Sequence, residues 1–293
     1  MNSLFVGTGV AVVTPFTKEN TIDYPSLSNI IKNLLDNGIE YLVVLGSTAE
    51  AVTLSSKEKD DLRAFFVKET KGKVPLVLGI GGNDTAAVIQ EIKTTNLQGF
   101  QAILSVVPPY NKPSQEGIYQ HFKAIADTSP LPVIVYNVPS RTGKNMQPET
   151  LVRLAQDCSK IIGVKEASGD MVQALEMIKT LPKDFLVISG DDMIALPMTL
   201  AGGAGVISVM AQGLPKDFSS MIRLGLEGDT KKAYTIQYKI MTGIDLIFEE
   251  GNPTGIKEML SQQSLCANNV RLSLIAATES LQQKIQVFIQ HYN

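Results

Sequence analysis

Ile161-Ile162-Gly163-Val164-Lys165 is a short apolar run that ends in an amine, and Glu166-Ala167-Ser168-Gly169 follows it at once. A run this short, apolar at nearly every position and closed by a glycine-bearing turn, reads as a strand buried on both faces. Seven further runs read the same way: Gly9-Val10-Ala11-Val12-Val13, Tyr41-Leu42-Val43-Val44-Leu45, Leu76-Val77-Leu78-Gly79-Ile80, Ala102-Ile103-Leu104-Ser105-Val106, Val133-Ile134-Val135-Tyr136, Leu186-Val187-Ile188-Ser189 and Val206-Ile207-Ser208-Val209. Roughly 20–35 residues separate one run from the next, enough for a helix in each gap. Continuous apolarity, in place of strict alternation, is the pattern of a parallel sheet covered on its outer face. Eight strand-helix units in about 220 residues point to an α/β fold closed as a (β/α)8 TIM barrel. A doubly wound open sheet competes with it. That fold usually carries Gly-x-Gly-x-x-Gly after its first strand, where this chain has Val13-Thr14-Pro15-Phe16.

Helix starts support the alternation. Ser55-Ser56-Lys57-Glu58 has a serine with an acid three residues on, which is a capping box. Thr85 before Ala86-Ala87-Val88, and Ser114 before Gln115-Glu116, read as similar caps. After residue 224 the strand signal stops. The division is therefore a barrel over residues 1–224 and a C-terminal helical bundle over 225–293, broken at Gly251-Asn252-Pro253-Thr254-Gly255. Nothing resembling a linker separates the two, so the bundle is expected to pack on the barrel.

Composition narrows the function. The 293 residues are 44% hydrophobic and 19% charged, which suits a soluble globular protein with a large core. A net charge of -3 gives no electrostatic footprint for nucleic acid or a membrane surface. No apolar segment reaches the ~18 residues of a membrane span, and the N-terminus shows no secretory signal, so the expected location is cytoplasmic. Cys158 and Cys266 match no metal spacing and read as reduced, buried thiols. His121 and His291 are too far apart to suggest a metal site, and none is expected.

The chemistry is expected at the carboxyl ends of the strands, where such barrels keep it. Lys165 ends one strand, and Tyr136-Asn137-Val138-Pro139-Ser140-Arg141-Thr142-Gly143 begins at the end of the strand before it. Each residue alone has an ordinary reading: a lysine reaching solvent, a tyrosine at the rim, a surface arginine. A barrel makes successive strand ends neighbours, so the amine and phenol come together although the sequence separates them. An amine held against apolar walls sheds its proton and attacks a carbonyl, which points to a Schiff-base enzyme acting on a keto acid. Other strand ends carry weaker signals. Gly46-Ser47-Thr48-Ala49-Glu50 suits a carboxylate cradle or an ordinary turn. Pro108-Pro109-Tyr110-Asn111-Lys112-Pro113 is a stiff loop presenting a tyrosine. Ser189-Gly190-Asp191-Asp192 reads as a helix N-cap with acid in the first turn before it reads as a metal site. Gly202-Gly203-Ala204-Gly205 precedes its strand and reads as close packing.

Taken in order, the Gly46–Glu50 segment, the Tyr136–Gly143 run, Gly163-Val164-Lys165-Glu166-Ala167-Ser168-Gly169 and Gly205-Val206-Ile207-Ser208 resemble the 4-hydroxy-tetrahydrodipicolinate synthase (dihydrodipicolinate synthase) family, within the N-acetylneuraminate lyase superfamily of class I aldolases. The resemblance covers nearly the whole chain. It implies a lyase of diaminopimelate and lysine biosynthesis that condenses pyruvate with aspartate 4-semialdehyde to 4-hydroxy-tetrahydrodipicolinate. The assembly it implies is a homotetramer, a dimer of dimers. Lys165 is the implied imine-forming residue, so no cofactor is needed. Ser47, Tyr136 and Tyr110 match a proton relay, with Tyr110 reaching in from the neighbouring subunit. Thr48 is implied as a holder of the pyruvate carboxylate, Arg141 of the semialdehyde carboxylate, and Gly190 and Ile207 as backbone groups lining the pocket. The alternatives are another pyruvate aldolase of the superfamily, such as a sialic acid or keto-deoxy sugar acid lyase, or an inactive regulatory relative.

The chain departs from the family pattern in places. The relay hydroxyl is usually threonine, where this chain has Ser47; Ala49 replaces a glycine; and one tyrosine is missing from the 107–111 loop. At the positions that hold lysine in feedback-inhibited members the chain has Pro109, Ser56, Lys59 and Ala87, retaining only Asn83. No carboxylate is left there for an ε-ammonium, so weak or absent lysine inhibition is expected.

Overall fold

The computed structural model describes residues 2–292; Met1, where the N-terminal stretch read for a leader begins, and Asn293 lie outside it. Eight parallel strands close into a barrel in chain order: β1 Gly7–Ala11, β2 Tyr41–Val44, β3 Leu76–Gly79, β4 Ala102–Val106, β5 Val133–Asn137, β6 Ile161–Glu166, β7 Leu186–Ser189 and β8 Gly205–Ser208, with β8 pairing back to β1. Closure rules out the open sheet. β1 lies earlier than its apolar run suggests. Val13 has left the ladder, and its N–H donates to Gln212 Oε1 at 2.9 Å. β8 starts one residue early at Gly205, whose φ of +119° and whose approach to Gly7 leave no room for a side chain; a Cβ would lie 2.0 Å from the Gly7 carbonyl oxygen. Close packing is thus the use of that glycine.

Two apolar clusters explain the continuous runs. One fills the barrel with inward residues such as Tyr41, Val43, Leu104, Ile134, Ile188 and Ile207. The other packs the outward residues, among them Leu42, Val44, Ile103, Val135 and Val187, against the helices. At about 25 cal/mol per Å2 of apolar surface, such two-faced burial dominates the stability of the fold.

One irregularity in this lattice sets the active end. The β5–β6 register runs Val133↔Ile161 and then Ile134↔Gly163, so one residue of β6 is extra. Ile161 and Val164 both face the outer cluster, while Ile162 faces the inner one. The bulge changes the phase of the alternation, and Lys165 comes to face the barrel interior opposite Tyr136. Gly163 permits this, since a Cβ there would sit 2.7 Å from both the Cβ and the carbonyl oxygen of Leu186.

Helix caps follow the local chemistry with one exception. Ser55 and Glu58 form the full capping box, and Ser114 accepts from Gly117 N–H. The cap near residue 85 is Asp84, not Thr85; its carboxylate takes the N–H groups of Ala86 and Ala87, while the Thr85 hydroxyl bonds His121 Nδ1. The helix Pro215–Leu226 follows β8, and the division expected after residue 224 falls in its last turn. Three further helices, Thr230–Glu249, Thr254–Gln262 and Glu279–Tyr292, pack together on the barrel. Among the described residues, no helix is long and apolar enough to cross a membrane.

Candidate active site

The carboxyl ends of the strands open into a cleft of about 480 Å3 lined by Ser47, Thr48, Tyr136, Arg141, Lys165, Gly190 and Asp191, and on one side by Ile244, Phe248 and Asn252 of the C-terminal segment. Lys165 is 5% exposed, and its Nζ lies 4.4 Å from the centre of the Tyr136 ring. Burial pulls its amine from the ordinary lysine value down to about 8; the Asp192 charge pulls the other way and Arg141 assists the fall. The result is an amine of which roughly a tenth is uncharged at pH 7, far more than in an ordinary lysine, as a nucleophile requires.

Tyr136 is also buried, which pushes its phenol above the usual range, while the positive Arg141 and a hydrogen bond with Ser47 pull it back. Lysine, phenol and hydroxyl thus form one contiguous group, carried by β6, β5 and the turn after β2. That turn is a short 3-10 helix, Ser47–Ala49, entered through Gly46. Its own bonds use the N–H groups of Ala49 and Glu50, so those of Ser47 and Thr48 are not taken up within it. Donors of this kind suit a carboxylate.

Arg141 sits in the one-turn helix Pro139–Thr142, started by a proline whose missing N–H costs nothing there. It is exposed at the cleft mouth, and its Nη2 donates to the Asn252 carbonyl at 3.1 Å. Gly190 packs tightly behind the lysine. A Cβ there would lie 2.6 Å from Ala167 Cβ and 2.9 Å from Lys165 Cε. Ile207 is 1% exposed in the inner cluster of the barrel and is not among the residues lining the cleft. Tyr110 is 88% exposed with a φ of +71°, and within one chain it is not brought to Lys165.

Three features were not legible in the sequence. Asn252 bridges the site: its Nδ2 donates to Thr48 Oγ1 at 2.9 Å while its carbonyl holds Arg141. The turn at Asn252-Pro253 was visible, but not the partner two hundred residues away. The Ser189–Asp192 segment reads as an N-cap with acid in the first turn, but the helix that follows is Ala195–Leu200, with no side-chain cap and no acid in its first turn, and Asp192 is used otherwise. It is 2% exposed, and its Oδ2 accepts from Val209 N–H at 3.0 Å and Met210 N–H at 2.7 Å, tying the end of β8. Burial holds its carboxyl up at about 6 against the pull of those bonds and the Ser208 hydroxyl. Glu166, beside the lysine, accepts from Asn137 Nδ2 at 2.9 Å and Ser168 N–H at 2.7 Å, which locks the ends of β5 and β6 together. Among the described residues, no group of three or more His, Cys, Asp or Glu is placed to hold a metal ion.

Residues 4–292 match the model of the dihydrodipicolinate synthetase family. The chain is 56% identical to the 4-hydroxy-tetrahydrodipicolinate synthase of Flavobacterium psychrophilum, over 97% of each chain. It is similar to the crystal structure of dihydrodipicolinate synthase from Aquifex aeolicus, with a TM-score of 0.95 and 36% identity over 99% of this chain and 98% of the other. It is equally similar to a dihydrodipicolinate synthase variant described as the first monomeric one, with a TM-score of 0.96 and 34% identity over 99% and 98% of the two chains.

Proposed function

The chain belongs to the dihydrodipicolinate synthetase family, and from that premise we infer that it condenses pyruvate with aspartate 4-semialdehyde to 4-hydroxy-tetrahydrodipicolinate, a lyase-class step toward diaminopimelate and lysine. The observation that carries the reading for this chain is Lys165, buried, turned inward and paired in register with Tyr136 at the barrel mouth.

In this reading the uncharged Lys165 amine adds to the ketone carbon of pyruvate. Water leaves and a protonated imine forms on Lys165, which serves as the electron sink in place of a separate cofactor. The methyl group of the bound pyruvate then loses a proton and an enamine results. Its terminal carbon bonds to the aldehyde carbon of the semialdehyde, whose oxygen takes up a proton. The amino group of the semialdehyde portion displaces Lys165 from the imine carbon, closing the ring and restoring the free amine. Tyr136 is the group nearest in place and kind to shuttle these protons, with Ser47 as its hydrogen-bonded neighbour. Thr48 and the first N–H groups of the 3-10 turn receive the pyruvate carboxylate. The planar fork of Arg141, steadied by the Asn252 carbonyl, receives the semialdehyde carboxylate. Gly190, lacking a Cβ, lets the backbone of its turn pack directly against Lys165, and Ile207 contributes from beneath, through the strand it belongs to.

A homotetramer built as a dimer of dimers belongs to this reading. Its support is Tyr110, 88% exposed and so open to a second copy, together with further large apolar side chains left exposed, among them Val52, Leu272 and Ile275. A second copy covering Tyr110 would carry it to a neighbouring relay. Cytoplasmic placement is part of the reading too, in keeping with two buried free thiols.

The test is pyruvate-dependent turnover of aspartate 4-semialdehyde by the purified protein, coupled to a reductase that consumes the product. Robust turnover is expected. Absence of turnover with pyruvate still trapped by borohydride on Lys165 would keep the Schiff-base aldolase and make a sugar acid, cleaved to pyruvate and an aldehyde, the substrate.

A further inference from the structure

Glu50 and Lys257 form a salt bridge that the chemistry above does not use. The side chain of Lys257 is 0% exposed and that of Glu50 2%, with Lys257 Nζ 2.5 Å from Glu50 Oε1. Both ions are fully engaged. Lys257 also donates to the Asn269 carbonyl at 2.8 Å and lies 4.2 Å from the centre of the Phe16 ring; Glu50 Oε2 accepts the Arg271 N–H at 2.9 Å. Burial pulls the Lys257 ammonium down, and the Glu50 carboxylate opposes it. Removing two charges from water is expensive, and a pair of apolar residues would hold a helix to a barrel at least as well. Stability alone therefore does not account for charges at this place.

The location suggests another use. Glu50 is the residue immediately after Ser47-Thr48-Ala49, and it sits at φ +55° as the hinge between that 3-10 turn and the next, Ala51–Thr53. A non-glycine residue holds this left-handed conformation only where its surroundings enforce it. Its N–H donates to the Ser47 carbonyl at 3.1 Å, so the side chain that fixes Glu50 also fixes the turn bearing the two hydroxyls. Lys257 lies on the helix Thr254–Gln262, five positions after Asn252, whose amide holds Thr48. The C-terminal segment thus grips the 47–50 turn at both ends, by an amide at Thr48 and by an ammonium at Glu50.

We propose that Glu50 and Lys257 are positioning residues: their buried pair holds the Ser47–Thr48 turn in the geometry that receives the pyruvate carboxylate, and makes the C-terminal helices part of the pyruvate site. This rests on the reading that Lys165 takes pyruvate. A charge pair fixes direction and register where apolar contact permits sliding, and a misplacement of about 1 Å in a substrate-holding group costs up to roughly 100-fold.

The test is borohydride trapping of pyruvate on Lys165 at a series of pyruvate concentrations, with thermal unfolding recorded in parallel. The double variant E50Q/K257M removes both charges together and keeps the outlines, so neither ion is left unpaired. The milder E50Q, which keeps one acceptor for Lys257, serves if the double variant does not fold. The half-saturating pyruvate concentration is expected to rise about tenfold or more in the double variant and several-fold in E50Q, well below the unfolding temperature. A folded variant that saturates at the concentration of the parent, whatever its melting temperature, overturns the proposal and leaves the pair a structural brace. A parent protein that pyruvate never labels overturns the underlying assignment of Lys165 instead, and the proposal with it.

Discussion

Replacing Lys165 by methionine should abolish the chemistry and stabilise the fold. Burial brings the amine from its ordinary 10.5 to about 8. The folded state therefore binds this proton more weakly than the unfolded chain does. Below pH 8 the amine is protonated in both states and the folded state bears the whole difference, about 3 kcal/mol at ~1.36 kcal/mol per pKa unit. The difference shrinks as pH rises from 8 toward 10.5, and by pH 10 it is under about 1 kcal/mol. Methionine fills the same volume without a proton, but it loses the attraction between the ammonium and the Tyr136 ring, which offsets about 1 kcal/mol. The net expectation at pH 7 is a gain of about 2 kcal/mol, read as a higher urea midpoint with an unchanged slope. Parent and variant are compared at one protein concentration, because association also stabilises. In the parent, the rate of borohydride trapping with pyruvate should climb with pH and level off above about 8. Roughly a tenth of the amine is free at pH 7, against about one part in 3,000 for an unshifted lysine. A variant no more stable than the parent at pH 7, or equally more stable at pH 7 and pH 10, would refute the claim that the cleft desolvates this amine.

Other expectations follow from the same geometry. Tyr136→Phe should lower kcat by about 100- to 10,000-fold while the protein stays folded, since only the hydroxyl is lost from the inner cluster; a loss of less than tenfold would place the proton shuttle elsewhere. Arg141→Lys should raise the KM for the semialdehyde by about tenfold or more and leave that for pyruvate near its parent value, because an ammonium cannot reproduce the planar fork; steady-state kinetics with each substrate varied in turn separates the two. L-Lysine at millimolar concentration should change the rate by less than about twofold. The second cleft beside the site is lined by Pro109, the cationic Lys59, Asn83 and Glu91, with Glu50 already paired to Lys257, and inhibition below 1 mM would show that Glu91 or another group holds the ε-ammonium after all.

What could be read before folding was whatever the sequence encodes locally. Eight apolar runs, their spacing and their closing residues specify eight strands and the helices between them, because burial on both faces leaves a run with no polar face. The Ser55–Glu58 capping box is likewise a matter of neighbouring residues, and so is the break around Gly251-Asn252-Pro253, which falls between the helices Thr230–Glu249 and Thr254–Gln262 and ends two residues sooner than its glycine and proline signals suggest. Lys165 and Tyr136 could be paired in advance because barrel order makes successive strand ends adjacent. Their orientation could not. A strict alternation from Ile161 would have turned Lys165 outward, and the extra residue at Ile162–Gly163 turns it in. That bulge is fixed by the fit of Gly163 against Leu186, on the next strand. Asp192 shows the same limit. Its neighbours in sequence suggest a helix cap, yet its bonds go to Val209 and Met210, a strand away. Asn252 with Thr48, and Lys257 with Glu50, join residues 204 and 207 positions apart. Period and capping are short-range properties that a chain carries wherever it lies, whereas the choice of partner for a buried polar group depends on which distant groups closure of the barrel leaves without water.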